Sequence, residues 1–373
     1  MVGPWSAEVA RRLPGIDAVA TLDFPWFNRR PHEPVWRRYG RLLTAGWRIR
    51  HGLRTTPLNP SDPVRPLGPF DAALILRDDD WWSAWLAQLA GIPVRIGHDH
   101  PRLRPYLTQI LPAAARPVHT AAANIALVLA ATEGDRVGVA LDDRPRAAGE
   151  QLTPQHHPLI FQITDDDHRA AEALLAGIPV ADTGLDREQA SGSNRTTPRL
   201  GHAIDVRAAV AIHPGAGAPV KLWRTSAWRE VIRAVMQATE TVMVTGAAGE
   251  ADLTRAVAEL AALEGRAVLD LGGCTDVGTL AAVFARCRLV MGPDSGPLHL
   301  AVAVGTPTVH LFGPADVARF GPWGPAERHR VVVSTLPCAP CGRLDWAEVS
   351  DHPCVRVISV AEVVGAVRAV GVI

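Results

Sequence analysis

The sequence predicts an α/β protein in which parallel sheets are covered by helices. Short apolar runs such as Thr308–Phe312 alternate with Ala/Leu-rich stretches of helical length, which is the pattern of a doubly wound sheet. No segment repeats at a fixed period, which excludes a solenoid. The 373 residues are 47% hydrophobic and 20% charged, a composition typical of a globular chain long enough for two domains.

Charge and cysteine content narrow the class of protein further. The 38 basic residues balance the 38 acidic residues, so the formal net charge is zero and general nucleic-acid binding is not expected. Five cysteines do not make a disulfide framework in a chain of this length, which favours a reducing, cytoplasmic setting. The sequence shows neither a basic-then-apolar signal pattern nor an apolar run long enough to span a bilayer.

In the N-terminal half, strand and helix patterns alternate, and glycine and aspartate mark helix ends. The predicted elements are a strand at Phe70–Leu76, a helix at Trp81–Ala90 capped by Asp80 and ended by Gly91, a strand from Val94, and helices at Thr120–Ala131 and from Asp165–Asp167 to Leu175. Residues 181–204 are rich in Ser, Thr, Gly and Arg without periodicity. They predict a linker between an N-terminal domain, 1–180, and a C-terminal domain, 205–373.

The C-terminal half alternates regularly between buried strands and helices. The predicted strands are Val206–His213, Thr241–Thr245, Val268–Leu271, Leu289–Met291 and Thr308–Phe312, and the predicted helices are Ser226–Thr239, Glu250–Leu263, Val277–Phe284, Gly296–Val304 and Val360–Val370. Ligands of a doubly wound sheet bind outside the carboxyl ends of its strands, so the loops that follow these strands are the candidate sites.

The segment LVMGPDSGPLHLAVAVGTPTVHLFGP, residues 289–314, is the strongest candidate. A buried strand leads into Asp294-Ser295-Gly296 at a helix start, where free backbone N–H groups and the positive helix end form an anion site. Gly296 lacks a Cβ, so a diphosphate can approach the backbone there, and Ser295 can donate its hydroxyl. His299 lies one turn further and faces the same loop. The same residues also fit an ordinary Asp/Ser helix cap with a glycine turn.

A second candidate loop is HPGAGAPVK, residues 213–221. It lacks the GxxxxGK[ST] pattern of phosphate-binding NTPases, and Val220 stands where a GxGxxG dinucleotide loop needs its third glycine. Gly215 and Gly217 therefore predict a flexible turn followed by a cation, Lys221. This residue is the only lysine among the 38 basic residues. Its ammonium is a compact point charge, whereas guanidinium is a planar fork.

Together, HPGAGAPVKLW, TGAAGE and MGPDSGPLHLAVAVGTPTVHLFGP resemble the motifs of glycosyltransferase family 9, the ADP-heptose:lipopolysaccharide heptosyltransferases. GPFDAALILRDDDWWSAWLAQLAGIPVRIGHD and His119–Leu129 resemble the N-terminal half of the family more weakly. The resemblance implies a GT-B fold, with two Rossmann-like domains facing a central cleft. It also implies inverting transfer of a sugar such as heptose from an ADP-linked donor to a glycan or lipid-linked acceptor, without a metal or other cofactor.

The resemblance also assigns roles to residues of the C-terminal half. Lys221 would contact the donor phosphates, and Glu250 would hold the ribose of the nucleoside. The diphosphate and the sugar would lie at Asp294, Ser295, Gly296 and His299, beside the turn formed by Gly215 and Gly217. A non-catalytic protein that binds a nucleotide sugar is the alternative, whereas the incomplete glycine pattern disfavours an NAD-dependent oxidoreductase.

One departure from the family pattern concerns the start of the chain. Family members open with a strand, Leu-Gly-Asp and a helix, and that aspartate is assigned as the base for the acceptor hydroxyl. No Leu-Gly-Asp follows Met1, so we expect the first strand–helix unit to be missing, through a misassigned start or a lost base. Asp78, at the carboxyl end of a predicted strand, is the candidate for a substitute base. The alternative is that Asp80 caps a helix and its neighbours are solvated.

Residues 34–50, PVWRRYGRLLTAGWRIR, predict a basic amphipathic helix. Arg37, Arg41 and Arg48 share one face. The apolar residues that lie mostly opposite are Trp36, Tyr39, Leu42, Leu43 and Trp47. This pattern is typical of an element that contacts a membrane surface or an anionic acceptor, and equally of a helix that packs on a sheet with its arginines in water. On the first interpretation the protein is cytoplasmic and peripheral at the inner face of the membrane.

The last candidate cluster contains Cys338, Cys341, Cys354 and His352. Structural zinc needs four ligands in tetrahedral geometry, and the His352-x-Cys354 spacing suits a shared site poorly. We therefore expect reduced structural thiols here rather than a metal site.

Overall fold

The computed structural model describes residues 2–3, 6–22, 34–54, 66–67, 69–112, 118–134, 152–176, 209–239, 241–262, 268–344 and 352–371. Contacts between Cα atoms divide the chain into two compact units, Met1–His156 and His157–Ile373.

The first unit contains a small parallel sheet flanked by helices. Its elements are α1 (Ala7–Arg11), α2 (Val35–Arg50), β1 (Leu53–Arg54), β2 (Pro66–Leu67), β3 (Ala72–Ile75), α3 (Trp81–Leu89), β4 (Val94–His98), β5 (Gln109–Leu111) and α4 (Thr120–Gly134). The sheet has the parallel order β3-β4-β5, and β1 and β2 form a separate antiparallel pair. Leu42 of α2 and Leu86 of α3 share a buried core with Ile75 of β3.

The second unit is built on a six-stranded parallel sheet with helices between the strands. Its elements are α5 (Asp165–Ala176), β6 (Val210–Ile212), α6 (Thr225–Val235), β7 (Val242–Gly246), α7 (Ala251–Ala262), β8 (Val268–Gly272), α8 (Val277–Phe284), β9 (Leu289–Pro293), α9 (Gly296–Ala303), β10 (Thr308–Phe312), α10 (Val317–Phe320), β11 (His329–Val333), α11 (Pro353–Arg356) and α12 (Val360–Ala369). The strand order is β11-β10-β9-β6-β7-β8, and every neighbouring pair is parallel.

Helices cover both faces of this sheet, as the sequence predicts. Val210 and Ile212 of β6 lie in one core with residues of α6, α7 and α12, whereas Ala211 lies in the other core with residues of α5, α8 and α9. Successive side chains of a strand point to opposite faces, so a strand buried on both faces has no polar side. The continuous apolar run at β6 follows from that position.

Two elements of the second unit, and several helix ends, are confirmed as predicted. The helix at Val277–Phe284 and the strand at Thr308–Phe312 have the predicted bounds. Asp80 caps α3 by accepting the backbone N–H of Ser83. Gly91 and Gly305 have φ of +73° and +81°, the left-handed conformation that ends a helix at little cost for glycine.

The compact units divide before the predicted domain boundary. The predicted N-terminal domain extends to residue 180, yet α5 belongs to the second unit. Ala171 and Leu175 of α5 are buried in the same core as Phe284 of α8, and this apolar packing joins the helix to the second unit. The predicted linker, 181–204, lies outside the described residues.

Helix α2 does not bury the apolar face that packing on a sheet would cover, which is one of the two interpretations of its sequence pattern. Of the predicted apolar face, Leu42 is fully buried, whereas Trp36, Leu43 and Trp47 are exposed. The buried stripe continues from Leu42 through Ala45 and Ile49. The close contact with α3 passes over Gly46, where a Cβ would come within 2.7 Å of the Leu89 side chain. None of the helices in the described ranges has the length and apolarity that a bilayer crossing requires.

Candidate functional site

The predicted site residues of the second unit collect at the carboxyl ends of β6, β7 and β9. The chain runs from β6 outward to β7 and β8, and then returns to the other side of β6 to form β9 and β10. The strand order therefore reverses between β6 and β9. In doubly wound sheets, the loops on either side of such a reversal diverge and leave a crevice for a ligand.

Lys221 is positioned by a short, well-anchored turn after β6. Pro219–Lys221 forms one turn of 3₁₀ helix, closed by the Lys221 N–H, which donates to the Ala218 carbonyl at 3.0 Å. Val220 is fully buried, and Trp223 is 2% exposed, with its indole N–H donating to the Ile358 carbonyl at 3.2 Å. Because buried residues hold the backbone on both sides, the ammonium of Lys221 is directed at the end of β9.

Lys221 and Asp294 form a buried ion pair between the β6 and β9 loops. The Nζ of Lys221 lies 2.5 Å from Oδ2 of Asp294 and donates to the Asp294 carbonyl at 3.3 Å. Asp294 is held in turn by its own N–H, which donates to the Leu311 carbonyl at 2.9 Å. The side chains are only 15% and 9% exposed, so little solvent weakens their attraction.

His299 completes this cluster from the first turns of α9. Its Nε2 lies 3.6 Å from Oδ1 of Asp294, the oxygen that Lys221 does not take. Burial opposes ionisation of Asp294, but the neighbouring His299 ring and the Lys221 ammonium outweigh it, so the pKa of Asp294 lies below its usual value. Asp294 is therefore a carboxylate at neutral pH that orients two basic side chains.

The start of α9 adds hydrogen-bond donors beside this cluster. Ser295 occupies the N-cap position, but its hydroxyl makes no capping hydrogen bond. The Ser295 Oγ is buried, with no hydrogen-bond partner in the described part of the chain. A Cβ built on Gly296 would meet no atom within 4 Å, so the space beside this backbone is open. The structure thus disagrees with the interpretation of Ser295 as an ordinary helix cap.

Glu250 and Gly215 meet on the other side of β6. Glu250 follows β7 in a 3₁₀ turn, and its Oε2 accepts the backbone N–H of Ala247 at 2.9 Å. A Cβ on Gly215 would overlap both carboxylate oxygens of Glu250. Gly215 is therefore required by close packing against the carboxylate, whereas Gly217 is exposed in the same loop.

His213 and Thr245 support this side of the site, and the sequence reasoning missed their pairing. Nδ1 of His213 lies 3.0 Å from Oγ1 of Thr245, and its Nε2 lies 3.9 Å from Oε2 of Glu250. Burial lowers the pKa of His213 to about 4, so the ring is neutral at physiological pH. Only the pairing of β6 with β7 brings the two residues together, because 32 positions separate them along the chain.

The sequence also did not predict a second histidine cluster, which lies beside His299. The rings of His299 and His310 are 5.7 Å apart, and His310 Nε2 lies 2.8 Å from the Thr308 hydroxyl. The same hydroxyl lies 2.9 Å from Nδ1 of His329. Burial holds the pKa of His310 well below its usual value and lowers that of His329 to about 4. Alternation in β10 indicates that Thr308 and His310 share one face, but the sequence does not indicate their partner.

The three aspartates after β3 lie in the first unit and have different surroundings. Asp79 pairs with Arg77 at 3.0 Å on the surface, and Asp78 is half-buried. Asp80 accepts the Ser83 hydroxyl at 2.6 Å, and burial raises the pKa of Asp80 to about 6 although Ser83 and Arg77 oppose the rise. With Arg77 and Ser83, Asp80 lines a mainly apolar cavity of about 430 Å³.

The three cysteines of the C-terminal cluster, Cys338, Cys341 and Cys354, are not joined by disulfides. Cys354 is buried, with its Sγ 2.9 Å from Nδ1 of His352. Burial raises the pKa of Cys354 to about 11, and the thiols of Cys341 and Cys338 add to the rise. Within the described ranges, no group of three or more His, Cys, Asp or Glu side chains is arranged to hold a metal ion.

The arrangement of the main site is suited to binding an anion. The Lys221 ammonium and the His299 imidazole lie against the Asp294 carboxylate, and the buried Ser295 hydroxyl and the positive end of α9 follow directly in the chain. Preorganised donors of this kind are most useful where negative charge develops during a reaction. The Glu250 carboxylate, one strand away, can accept hydrogen bonds from neutral hydroxyl groups.

Comparison with known proteins connects this site to a family. The model of glycosyltransferase family 9 (heptosyltransferase) matches residues 68–347, more than half of the chain. Lipopolysaccharide heptosyltransferase 1 of Pseudomonas aeruginosa is 34% identical over 174 residues, which are 46% of this chain and 44% of that protein. The chain spans about half the length of the curated relatives it matches.

Solved structures show the same fold. The ADP-heptose lipopolysaccharide heptosyltransferase II of Escherichia coli has a TM-score of 0.60 at 18% identity, covering 99% of this chain and 87% of that one. An E. coli heptosyltransferase solved with ADP has a TM-score of 0.54 at 16% identity, covering 88% and 82%. At this identity the likeness establishes the fold alone, which is GT-B.

Proposed function

Since this chain belongs to glycosyltransferase family 9, we propose that it transfers a sugar from a nucleoside-diphosphate donor to a glycan or lipid-linked acceptor. The relatives are named as lipopolysaccharide heptosyltransferases, and one solved neighbour holds ADP, so heptose and ADP are the proposed sugar and nucleotide. The proposed reaction inverts the configuration at the anomeric carbon. The proposed setting is lipopolysaccharide core biosynthesis.

The observation that carries the proposal is the Lys221–Asp294–His299 cluster at the start of α9. Displacement at an anomeric carbon creates negative charge on the departing diphosphate. Lys221 and the N-terminal backbone of α9 are suited to stabilise that charge, while Asp294 keeps the ammonium in place. His299 and the Ser295 hydroxyl are suited to bind the diphosphate or the sugar beside it.

The nucleoside is proposed to lie on the β7 side of the same crevice. Glu250 presents a carboxylate against Gly215, and a carboxylate can accept both ribose hydroxyls. Gly215 leaves room for this carboxylate, and Gly217 keeps the exposed part of the loop free of side chains.

The proposal also needs a base that deprotonates the acceptor hydroxyl. Asp78 remains the candidate, and its neighbour Asp80 has the pKa of about 6 that suits a base near neutral pH. The competing proposal is a protein that binds the nucleotide sugar without turning it over. Asp78→Asn and Asp80→Asn, each assayed for transfer, separate the two aspartates.

The experiment that tests the function uses donor binding and turnover together. Calorimetric titration with ADP, GDP and UDP should show the tightest binding for ADP, and ADP-heptose with a heptose-deficient lipopolysaccharide acceptor should give a transferred product. Nuclear magnetic resonance of that product should show an anomeric configuration opposite to that of the donor. Binding of ADP-heptose without transfer would support the non-catalytic alternative, and failure to bind any nucleotide would contradict both.

The proposed location is the cytoplasm, with peripheral contact at the inner face of the membrane through residues 34–50. Five arginines and no acidic residue in α2 support that contact. No nucleic-acid partner is proposed.

A further inference from the structure

Helix α2 presents an apolar ridge to solvent on the side away from its core contact. Trp36 is 69% exposed, Leu43 51% and Trp47 63%. Their spacing of seven and four residues places them on one line along the helix, about 16 Å from end to end at 1.5 Å per residue. Large apolar side chains exposed together in this way mark an interaction surface.

This ridge, Trp36–Leu43–Trp47, makes no contribution to the buried core of the first unit. The packing of α2 is completed by Leu42, Ala45 and Ile49, which are at most 7% exposed. At 100° per residue these three lie on the opposite half of the helix. The ridge is therefore free to contact a partner while α2 remains packed on α3.

Arginines flank the ridge on both sides. Arg37 and Arg48 lie about 100° from the ridge on one side, and Arg50 lies about 40° from it on the other. All three are exposed. The guanidinium of Arg37 is 5.1 Å from the ring centre of Trp36. With five arginines and no acidic residue in α2, the surface complements an anionic partner.

We propose that this ridge is a docking surface for an anionic phospholipid bilayer. Trp side chains favour the interface between headgroups and acyl chains, where their apolar bodies are buried and their N–H groups stay hydrated. Arginines beside them reach the lipid phosphates, and a helix that lies in the membrane plane can insert its whole ridge at once. This inference identifies the lipid-facing residues behind the peripheral contact proposed above. It is independent of the transferase reaction.

The test is co-sedimentation of the full chain with vesicles of phosphatidylcholine alone and of phosphatidylcholine mixed with phosphatidylglycerol. We expect binding to the anionic vesicles that weakens as salt rises. Trp36→Ala/Trp47→Ala should lower binding about tenfold or more, since it removes the inserted aromatic surface. Arg37→Gln/Arg48→Gln should weaken it about fivefold per arginine.

Matched variants of exposed residues outside α2 control for general effects. Val118→Ala/Ile160→Ala removes apolar side chains that are 63% and 50% exposed, and Arg255→Gln/Arg368→Gln removes two exposed charges. Both should bind vesicles as the parent chain does. Absence of binding at low salt, or unchanged binding of the tryptophan variant, would overturn the proposal. Binding to a duplex oligonucleotide in preference to vesicles would instead assign the surface to nucleic acid.

Vesicle binding requires neither donor nor turnover, so a failure of the proposed transferase activity leaves this test intact. Because the substituted side chains are exposed, the variants should retain the unfolding midpoint of the parent chain, which urea titration checks.

Discussion

The only lysine of the chain, Lys221, places its Nζ 2.5 Å from Oδ2 of Asp294 across the point where the strand order reverses. The pair joins the loop after β6 to the loop after β9, two segments that 73 positions separate in sequence. A compact ammonium fits between the carboxylate and the Asp294 carbonyl, and the longer, planar guanidinium has a different geometry. This contact gives a physical reason for one lysine among 37 arginines.

Lys221→Ala should lower donor turnover about 100-fold or more, because it removes a preorganised cation from the departing diphosphate. Lys221→Arg should restore the rate only in part, since the guanidinium cannot occupy the same point beside Asp294. Initial rates with saturating ADP-heptose are the measurement, and Arg255→Ala, in an exposed helical position, is the control. Unchanged rates in Lys221→Ala would exclude this role.

Lys221→Ala should also destabilise the fold by about 3 kcal/mol, because it leaves the Asp294 carboxylate buried without its cation. Lys221→Ala/Asp294→Asn should recover most of that stability, since the buried charge is then gone, but should not recover turnover. Urea unfolding of the two single variants and the double variant measures the coupling. If the double variant is as active as the parent chain, the pair is structural only.

Gly215→Ala should weaken ADP binding about tenfold or more, since the new Cβ would overlap the carboxylate of Glu250 and displace it. Gly249→Ala is the matched control, because a Cβ at that position, one residue before Glu250, meets no atom within 4 Å. Calorimetric titration with ADP compares the two variants. Equal affinities would show that the position of the Glu250 carboxylate does not matter for the nucleotide.

Asp80→Asn should remove a pH dependence of stability. The folded pKa of about 6 exceeds the ordinary 3.8, so the native state holds this proton more tightly, and stability is lost as pH rises from about 4 to about 6. Asparagine keeps an oxygen for the Ser83 N–H and cannot ionise, so the variant should be more stable than the parent by up to about 3 kcal/mol at neutral pH.

Urea unfolding at about pH 4 and about pH 7 checks this prediction, with the exposed Asp79→Asn as the control. A stability difference between Asp80→Asn and the parent that is the same at both pH values would contradict it.

His329→Asn should reduce the loss of stability in acid. Burial, aided by the charge of Arg328, lowers the folded pKa of His329 to about 4. In the unfolded chain this imidazole binds a proton with a pKa near 6.5, whereas in the native state it stays neutral until the pH is much lower. The contribution of neutral His329 to stability is therefore fully present above about pH 6.5 and is lost as pH falls toward 4. The Asn amide can keep the hydrogen bond to Thr308. Between about pH 6.5 and pH 4, the free energy of unfolding of the variant should therefore fall by up to about 3 kcal/mol less than that of the parent chain.

His156→Asn is the control for that measurement, because His156 also lies beside a threonine hydroxyl but is exposed. Urea midpoints at several pH values give the slopes. An acid slope of His329→Asn equal to that of the parent chain would show that other groups control acid unfolding.

Much of the fold of the second unit could be predicted because its signals are local. Apolar runs, capping residues and glycines act within a few positions, and the bounds of α8 and β10 follow from them. The loops after the strands could also be predicted as the site, because parallel strands bring their carboxyl ends to one edge. The family resemblance then identified Lys221, Glu250 and Asp294 by position in a motif.

The sequence by itself thus determined the strand–helix alternation, the family and the candidate residues of the donor site. Only the tertiary structure decided which of these residues touch: Lys221 with Asp294, Glu250 against Gly215, and His213 beside Thr245. It also decided that Trp36 and Trp47 face solvent, whereas their pattern fits packing on a sheet as well as contact with a membrane surface. The physical reason is that a helical pattern gives the direction of each side chain, whereas the neighbouring elements decide which directions are covered.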